Sequence, residues 1–292
     1  MPIFSFLKYN LRVVRNIAAR GQFSGKMLAD DNEINYEKEE VVQIISQRAF
    51  LFKPERIALN ILRNQLPNMK MLDIGIGGGR TTAYFAALTK EYIGIDYSQE
   101  MIRTCQRKFK EYPKKIIFAR VDARNMTLFR DGEFDFVLFS FNGIDCVDHA
   151  DRIKILREIQ RVTKNRGYFL FSSHNLNSLQ GVCSVSLSSK PSKFAQNINE
   201  ISRLLFLRLT NKCTWKIIRT NPKKLQYVIF NDGSYEFGLE LHYIDPEEQL
   251  KDLKALGFKN VKVYGMNDDC EVQNPTSSND YGLHYFCEVQ KT

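Results

Sequence analysis

Residues 72–80 read Leu-Asp-Ile-Gly-Ile-Gly-Gly-Gly-Arg, an apolar run that passes directly into a glycine-rich turn. Glycines allow the backbone to turn tightly and to approach a ligand closely at the start of a helix. The spacing is G-x-G-x-G rather than the G-x-G-x-x-G of dinucleotide-binding turns, because Arg80 occupies the position of the third glycine. The turn therefore predicts a ligand-binding strand–turn–helix unit and argues against a nicotinamide-dependent oxidoreductase.

Acidic residues lie at the ends of the first two predicted strands. Asp73 lies two residues before Gly75, where its carboxylate would repel a pyrophosphate but attract a ligand that carries an ammonium or a sulfonium group. Asp96 follows the apolar run Tyr92–Ile95, and a carboxylate at the tip of the second strand can accept hydrogen bonds from both ribose hydroxyls. These two acids predict a site for a positively charged nucleoside.

A third acid, Asp122, follows the next predicted strand, Ile116–Val121. A carboxylate there can accept a hydrogen bond from the exocyclic amine of adenine, while the backbone N–H of Ala123 donates to a ring nitrogen. Each of the three acids taken alone also fits a helix cap or a turn. Their placement at three successive strand ends is much more specific and favours adenosine recognition.

Short apolar strands alternate with helices up to about residue 175. The predicted strands are Met71–Ile74, Tyr92–Ile95, Ile116–Val121, Phe134–Phe139 and Tyr168–Phe171, separated by the helices Thr81–Leu88, Glu100–Phe109 and Ala150–Val162. This alternation predicts a parallel sheet with helices on both faces. Further on, the pattern predicts a hairpin around Asp232-Gly233 (Leu225–Phe230 with Tyr235–Tyr243), a helix from Pro246, and strands Val261–Tyr264 and Leu283–Val289.

Over about residues 50–175, these motifs resemble the successive motifs of the class I S-adenosylmethionine-dependent methyltransferases, and Tyr243–Tyr264 resembles the last helix–strand unit of that family. The resemblance implies a Rossmann-like α/β fold: a seven-stranded, mostly parallel sheet with helices on both faces and an antiparallel last strand. It implies S-adenosylmethionine as cofactor, with the methionine moiety near Asp73, the ribose at Asp96 and the adenine against Met101. The cofactor-binding residues that follow from it are Asp73, Gly75, Gly77, Gly79, Asp96, Met101, Asp122, Ala123 and Phe139.

Four residues are candidates for handling the methyl acceptor, which should bind at the carboxyl ends of the strands. Asn142 and Asp145 follow the fourth strand, and His174 ends the fifth. A histidine can titrate near neutrality, so His174 is predicted as the base or the acceptor-orienting residue, with a structural histidine bonded to its loop as the alternative. Asp145 fits an anchor for an amine or a helix start, and Tyr243 fits the pocket lining or the core.

Methyl transfer by in-line displacement depends mainly on holding the nucleophile near the methyl carbon. The favoured function is therefore transfer to N or O of a small-molecule acceptor. Methylation of a macromolecule (RNA, protein or lipid-linked glycan) and a non-catalytic S-adenosylmethionine-binding module are the alternatives. The loop at 142–145 is Asn-Gly-Ile-Asp, not the Asn/Asp-Pro-Pro-aromatic loop of amino-methylating DNA enzymes. No His/Asp/Glu cluster has metal-ligand spacing, so no metal is predicted.

The chain divides into four predicted segments: an N-terminal helical cap (1–45), a cofactor-binding core (46–174), a basic inserted cap (175–228) and the C-terminal part of the core sheet (229–292). Residues 175–224 contain nine Lys and Arg against one Glu, so nine minus one gives +8 of the net charge of +9. This charge favours an anionic acceptor. Contact with an anionic membrane or RNA, or a basic face that is merely solvated, are the alternatives.

Composition limits the environment and the partners of the protein. The six cysteines are scattered without a C-x-x-C pair, so disulfides are not expected. No apolar run approaches the ~20 residues of a membrane span, and the N-terminus does not read as a signal peptide. Aromatic residues are few within the basic segment, so nucleic acid is not expected as a partner. The sequence predicts a cytoplasmic protein and leaves its oligomeric state open.

Overall fold

The predicted alternation of strands and helices builds one sheet with helices around it. The computed structural model describes residues 29–112, 116–184, 189–190, 194–220 and 225–291, so most of the predicted N-terminal cap lies outside the described residues. The strands are β1 Lys70–Ile74, β2 Glu91–Asp96, β3 Ile116–Arg120, β4 Phe134–Phe139, β5 Thr163–Asn175, β6 Tyr227–Phe230, β7 Leu241–Ile244, β8 Phe258–Gly265 and β9 Gly282–Val289. The helices are α1 Ala29–Tyr36, α2 Glu39–Ser46, α3 Lys53–Leu62, α4 Thr82–Phe85, α5 Gln99–Lys108, α6 His149–Val162, α7 Leu179–Val182, α8 Phe194–Thr210, α9 Lys212–Thr220, α10 Ser234–Phe237 and α11 Pro246–Ala255.

Seven of the strands form the predicted sheet, in the order β3-β2-β1-β4-β5-β9-β8. The pairs from β3 to β5 are parallel, and β9 runs antiparallel to both β5 and β8. The predicted Rossmann-like sheet with one antiparallel strand is thus confirmed. The strand count is higher than predicted, because β6 and β7 extend the sheet to nine strands.

The additional hairpin attaches to the carboxyl end of β5. β7 pairs in parallel with only His174 and Asn175, while β9 pairs with β5 from Tyr168 to His174. A strand has two edges, and β9 occupies the edge opposite β4. β7 therefore lies on the β4 edge, just beyond the end of β4. This brings the inserted segment to the side of the sheet where ligands bind.

Alternating side chains of the strands build the two main apolar layers. In β4, Val137 packs in a cluster with α6 residues such as Leu156, whereas Phe136 packs on the other face with Leu62 of α3 and Phe85 of α4. This follows from the two-residue side-chain period of a strand. Both faces are buried, which explains why the strands read as continuous apolar runs.

The inserted segment has an apolar cluster of its own. Leu207 of α8 and Ile218 of α9 pack with Phe230 of β6 and Tyr243 of β7. The hairpin thus shares a core with the inserted helices, although the predicted boundary at residue 228 falls within β6. The predicted hairpin is present, but its second strand is shorter than the predicted Tyr235–Tyr243. The helical turn α10 occupies Ser234–Phe237, and β7 begins only at Leu241.

Candidate active site

The glycine-rich turn follows β1 as predicted. Gly75, Gly77 and Gly79 adopt φ values of 62°, 51° and 77°, a left-handed conformation that glycine alone adopts readily. The N–H of Gly77 donates to Oδ2 of Asp96 at 2.9 Å. The turn is therefore fixed to the end of β2, and its backbone is held open toward the space above the sheet.

Asp73 is a buried carboxylate at the end of β1. Its Oδ2 accepts hydrogen bonds from the hydroxyl of Thr81 at 2.5 Å and from the hydroxyl of Tyr92. Burial raises the pKa of Asp73 to about 6, although both hydrogen bonds act to lower it. At neutral pH the group is mainly ionised, and it gives this end of the sheet a negative charge.

Asp96 is the second buried carboxylate, at the end of β2. Besides the bond from Gly77, its Oδ1 accepts from the backbone N–H of Ser98 at 2.9 Å. Burial raises its pKa to about 6, against the lowering effect of these backbone donors. Next to it, the hydroxyl of Tyr97 is buried and has no hydrogen-bond partner among the described residues. A buried hydroxyl without a partner indicates a place for a polar ligand.

A single cavity connects these groups, and we call it the central cavity. Its empty volume is about 880 Å³, which includes space open to solvent. Seven of the nine predicted cofactor-binding residues line it: Asp73, Gly75, Gly77, Asp96, Met101, Ala123 and Phe139. The spacing of the motifs thus brought these residues to one place, at the carboxyl ends of the strands.

The other two predicted cofactor residues lie outside the lining of the central cavity. A Cβ on Gly79 would come within 2.5 Å of Phe109, so this glycine allows the turn to pack against the residue that follows α5. Asp122 accepts two hydrogen bonds from Nε of Arg124, at 3.1 and 2.8 Å, and a third from its Nη2 at 2.6 Å. The adenine contact predicted for Asp122 stays a prediction, because its carboxylate is engaged by Arg124.

Helix α2 covers the glycine turn. Cβ atoms on Gly77 and Gly78 would lie 2.9 Å from Ile45 and 2.3 Å from the Cα of Ser46, respectively. Ile45 and Arg48 line the central cavity. Helix α2 and the residues that follow it therefore form part of the wall.

A buried ion pair that the sequence analysis missed supports the opposite wall. Arg80 donates to both carboxylate oxygens of Glu55, at 2.7 and 2.6 Å, and to the hydroxyl of Ser140 at 3.0 Å. Arg80 and Ser140 line the cavity. Local sequence does not indicate this pair, because Glu55 and Arg80 are 25 residues apart and lie in different elements.

A second arginine in the wall, Arg48, lies against an aromatic ring. The guanidinium of Arg48 lies 4.3 Å from the ring centroid of Phe141, and one of its nitrogens donates to the hydroxyl of Tyr235 at 3.4 Å. Among the residues that the structure describes, no carboxylate forms an ion pair with Arg48. Phe141 and the following Asn142 adopt φ values of 58° and 56°, which are strained for residues other than glycine. This strained turn presents the Phe141 ring to the cavity.

The remaining wall is aromatic and uncharged. Tyr36 lies edge-on to Tyr97 and Tyr235, with ring centroids 6.0 and 5.9 Å apart, and its hydroxyl is 3.5 Å from the sulfur of Cys146. Burial raises the pKa of Cys146 to about 12 and that of Tyr36 well above its usual value. Both groups are therefore neutral near pH 7.

The residues predicted to handle the acceptor are not among those that line the central cavity. Asp145 is fully buried in an ion pair with Arg152, and its Oδ2 accepts from the backbone N–H of His174 at 2.6 Å. The ring Nδ1 of His174 is 2.8 Å from the same oxygen, but without the geometry of a hydrogen bond. The carboxylate of Asp145 is thus engaged by Arg152 and by the backbone of His174, and the acceptor roles of Asp145 and His174 stay predictions.

Asn142 and Tyr243 are also turned away from the cavity. The backbone N–H of Asn142 donates to the hydroxyl of Ser172 at 2.8 Å, and its side chain is buried near Gly282. Tyr243 is buried in the core of the inserted segment and donates to Asp232 at 2.8 Å. All four histidines of the chain lie outside the cavity lining. In the described ranges, no three His, Cys, Asp or Glu side chains form a group that could hold a metal ion.

Comparisons with known proteins agree with this geometry. Residues 71–167 match the family model of a methyltransferase domain. The chain is 32% identical to a putative methyltransferase, YqeM, of Bacillus subtilis over 107 residues, which are 36% of this chain and 42% of that protein. It is 27% identical over 125 residues to a ubiquinone biosynthesis O-methyltransferase of Thiobacillus denitrificans, covering 42% of this chain and 52% of that one. The chain thus spans about half the length of these relatives.

A solved structure extends the likeness over most of the chain. The Burkholderia thailandensis 1,6-didemethyltoxoflavin-N1-methyltransferase, crystallised with 1,6-didemethyltoxoflavin and S-adenosylhomocysteine, superimposes with a TM-score of 0.54. The match covers 90% of this chain and 88% of that chain at 13% identity. This comparison shows a shared fold.

Proposed function

We propose that this chain is a class I S-adenosylmethionine-dependent methyltransferase that transfers a methyl group from S-adenosylmethionine to a small-molecule acceptor, a proposal that its fold and its matched methyltransferase domain support. The observation that carries the proposal is the convergence of Asp73, the glycine turn, Asp96 and Ala123 on the central cavity. We infer a cytoplasmic site of action, as the sequence predicts. In the described ranges, every helix is too short or too polar to traverse a bilayer.

The residues present fit this cofactor. The buried carboxylate of Asp73 suits a ligand with an ammonium and a sulfonium group, and Asp96 suits the ribose hydroxyls. The unpartnered hydroxyl of Tyr97 lies beside Asp96, where the polar edge of a nucleoside would satisfy it. Met101 and Ala123 line the same cavity and would supply apolar contacts for the adenine. When bound, the cofactor supplies an electrophilic methyl group on a cationic sulfur.

The protein's own contribution to catalysis is mainly orientation. An in-line displacement needs the nucleophile held close to its target, which rigid walls achieve. The wall residues Tyr36 and Cys146 are protonated at neutral pH and are poor bases, and the carboxylates of Asp73 and Asp96 are assigned to the cofactor rather than to the acceptor. We therefore infer that the acceptor atom binds in its deprotonated form, as a neutral amine or as a phenolate or carboxylate oxygen.

We further propose that the acceptor is planar and carries a negative charge. Arg48 is the wall cation without an acidic partner among the described residues, and it lies on the ring of Phe141 beside Tyr235. An anionic group can bind the guanidinium, while the aromatic rings receive a flat body. Two similar proteins are named as a ubiquinone biosynthesis O-methyltransferase and a 1,6-didemethyltoxoflavin-N1-methyltransferase, and small-molecule methylation is consistent with both names.

Calorimetric titration with S-adenosylhomocysteine tests the cofactor site. We expect Asp96→Ala to weaken binding by about 1.5–3 kcal/mol, the value of a hydrogen bond to a charged group, which corresponds to about 10- to 150-fold. Asp131→Ala is the matched control, because that carboxylate is exposed and pairs with Arg161 at the surface. Equal affinity of a folded Asp96→Ala protein and the wild type would contradict the assignment.

A further inference from the structure

The longest helix of the inserted segment presents apolar side chains to solvent. In α8, the side chains of Ile198, Ile201, Leu205 and Leu209 are between 37% and 55% exposed. We call these four residues the exposed stripe. A helix advances about 100° per residue, so spacings of three and four residues place them on one face. Single exposed apolar residues are ordinary, whereas an aligned row indicates a surface that something covers.

The rest of the inserted segment fixes the direction in which this stripe points. Leu207, on the opposite side of α8, is fully buried with Phe230 and Phe237. Phe206 lies edge-on to Phe237, with ring centroids 5.8 Å apart. Helix α9 repeats the pattern, with Ile218 buried and Ile217 exposed. Rotation of α8 to bury the stripe would therefore expose Leu207 and break this core.

The surroundings of the stripe are positively charged. Arg208 and Lys216 are exposed on α8 and α9. The one acid within residues 175–224, Glu200, forms an ion pair with Arg203 at 3.1 Å. The segment thus combines apolar side chains with a charge of nine basic residues minus one acidic residue, or +8. Two copies of the chain packed stripe to stripe would bring these charges together, which disfavours self-association.

We propose that the exposed stripe docks the protein on an anionic lipid bilayer, with α8 lying in the plane of the surface. Leucine and isoleucine side chains enter the boundary between headgroups and acyl chains, while lysine and arginine bind lipid phosphates. The same unit contributes Tyr235 to the central cavity, two residues before Phe237 of its core. An amphipathic acceptor would then reach the cavity from the membrane surface.

Vesicle flotation of the full chain tests the docking surface without depending on catalysis. We expect the wild type to float with vesicles of phosphatidylcholine containing about one third phosphatidylglycerol, and to float poorly with phosphatidylcholine alone. The variant Ile201→Gln/Leu205→Gln/Leu209→Gln should bind the anionic vesicles at least about tenfold more weakly. The variant Arg208→Gln/Lys216→Gln should bind the anionic vesicles more weakly than the wild type at low salt, and the difference should shrink at raised salt, because salt screens the electrostatic attraction.

Leu128→Gln is the matched control, since Leu128 is 66% exposed and lies outside the inserted segment. S-adenosylhomocysteine affinity equal to wild type shows that each variant is folded, and failure of that binding in the wild type would count against the proposed function alone. The docking proposal is overturned if the wild type ignores anionic vesicles or binds both vesicle types equally. It is also overturned if the triple variant floats like the wild type, or if the triple substitution abolishes a dimer while vesicle binding is absent.

Discussion

Asp73 and Asp96 combine two opposing requirements, because burial raises the pKa of each to about 6, while the ammonium group and the ribose hydroxyls of the proposed ligand need ionised carboxylates. Affinity for S-adenosylhomocysteine should therefore fall as the pH drops through 6, by up to about tenfold per pH unit for each carboxyl. Calorimetric titrations at a series of pH values from about 5 to about 8, a range that brackets this pKa, measure how the affinity changes with pH.

The unliganded protein should show the opposite trend. A carboxyl whose pKa is higher in the folded than in the unfolded chain stabilises the fold fully below the unfolded value, and this contribution is lost as the pH rises through about 6. Asp96→Asn should remove the contribution of Asp96 to the pH dependence of ligand affinity and to the pH dependence of stability. A flat affinity profile across this range would show that the two carboxyls do not contact the ligand.

Arg48 should govern the acceptor rather than the cofactor. We expect Arg48→Gln to raise the KM for an anionic acceptor about 10- to 150-fold, the loss of one hydrogen bond to a charged group. The affinity for S-adenosylhomocysteine should change by less than about twofold. Arg48→Lys keeps the charge but loses the planar contact with Phe141, so its KM should lie between the two. A loss confined to cofactor affinity would assign Arg48 to the carboxylate of the cofactor instead.

For single residues, the sequence predicted those whose positions follow from their distance along the chain to a predicted strand. Asp73, Gly75, Gly77 and Asp96 follow strands at fixed distances, so their convergence could be derived. Arg48 and Glu55 could not be derived, because their partners come from segments distant in the chain. A buried structural histidine and a catalytic one have the same sequence context, which is why His174 was open to both interpretations.

Among the elements, α2 can pack closely on the glycine turn because Gly78 has no side chain. Gly78→Ala would place a methyl group 2.3 Å from the Cα of Ser46, so α2 must shift and carry Ile45 and Arg48 with it. We expect a loss of about 1–3 kcal/mol in S-adenosylhomocysteine binding, measured by calorimetry.

Gly181→Ala is the control for this prediction, because nothing lies within 4 Å of a Cβ at that position. Unchanged affinity of Gly78→Ala would mean that α2 does not contribute to the bound state.

At the level of elements, strands and helices were largely predictable from their apolar periods. The turn α10 was not, since Tyr235 and Phe237 adopt positive φ values of 48° and 63° that no local pattern specifies.

In the whole molecule, Arg152 of α6 joins the turn after β4 to β5 and to α11. It is fully buried, forms the ion pair with Asp145, and donates to Ser173 of β5 at 3.0 Å and to Gln249 of α11. We expect Arg152→Met to lower the free energy of unfolding by about 3–5 kcal/mol, because it leaves the Asp145 charge buried without its partner. Urea unfolding followed by circular dichroism measures this.

Arg157→Met, on the exposed side of the same helix, should change the free energy of unfolding by less than about 0.5 kcal/mol. Adding Asp145→Asn to Arg152→Met should restore part of the loss, since the buried charge is then removed. Similar stability of all three variants would show that the network is not required.

The order of the core strands was predictable, but the packing of the insertion on α1 and β5 depends on contacts over long sequence distances.

The attachment of β7 to β5 determines how solutes exchange with the central cavity. Backbone hydrogen bonds hold the β6–β7 hairpin at the sheet, so the wall that carries Tyr235 cannot swing outward without breaking them. Helix α2 is held over the glycine turn by side chains, such as the bonds from Lys108 to the carbonyls of Ser46 and Gly78. We therefore expect the proposed reactants and products to exchange with the cavity on the α2 side, through loosening of that helix rather than of the insertion.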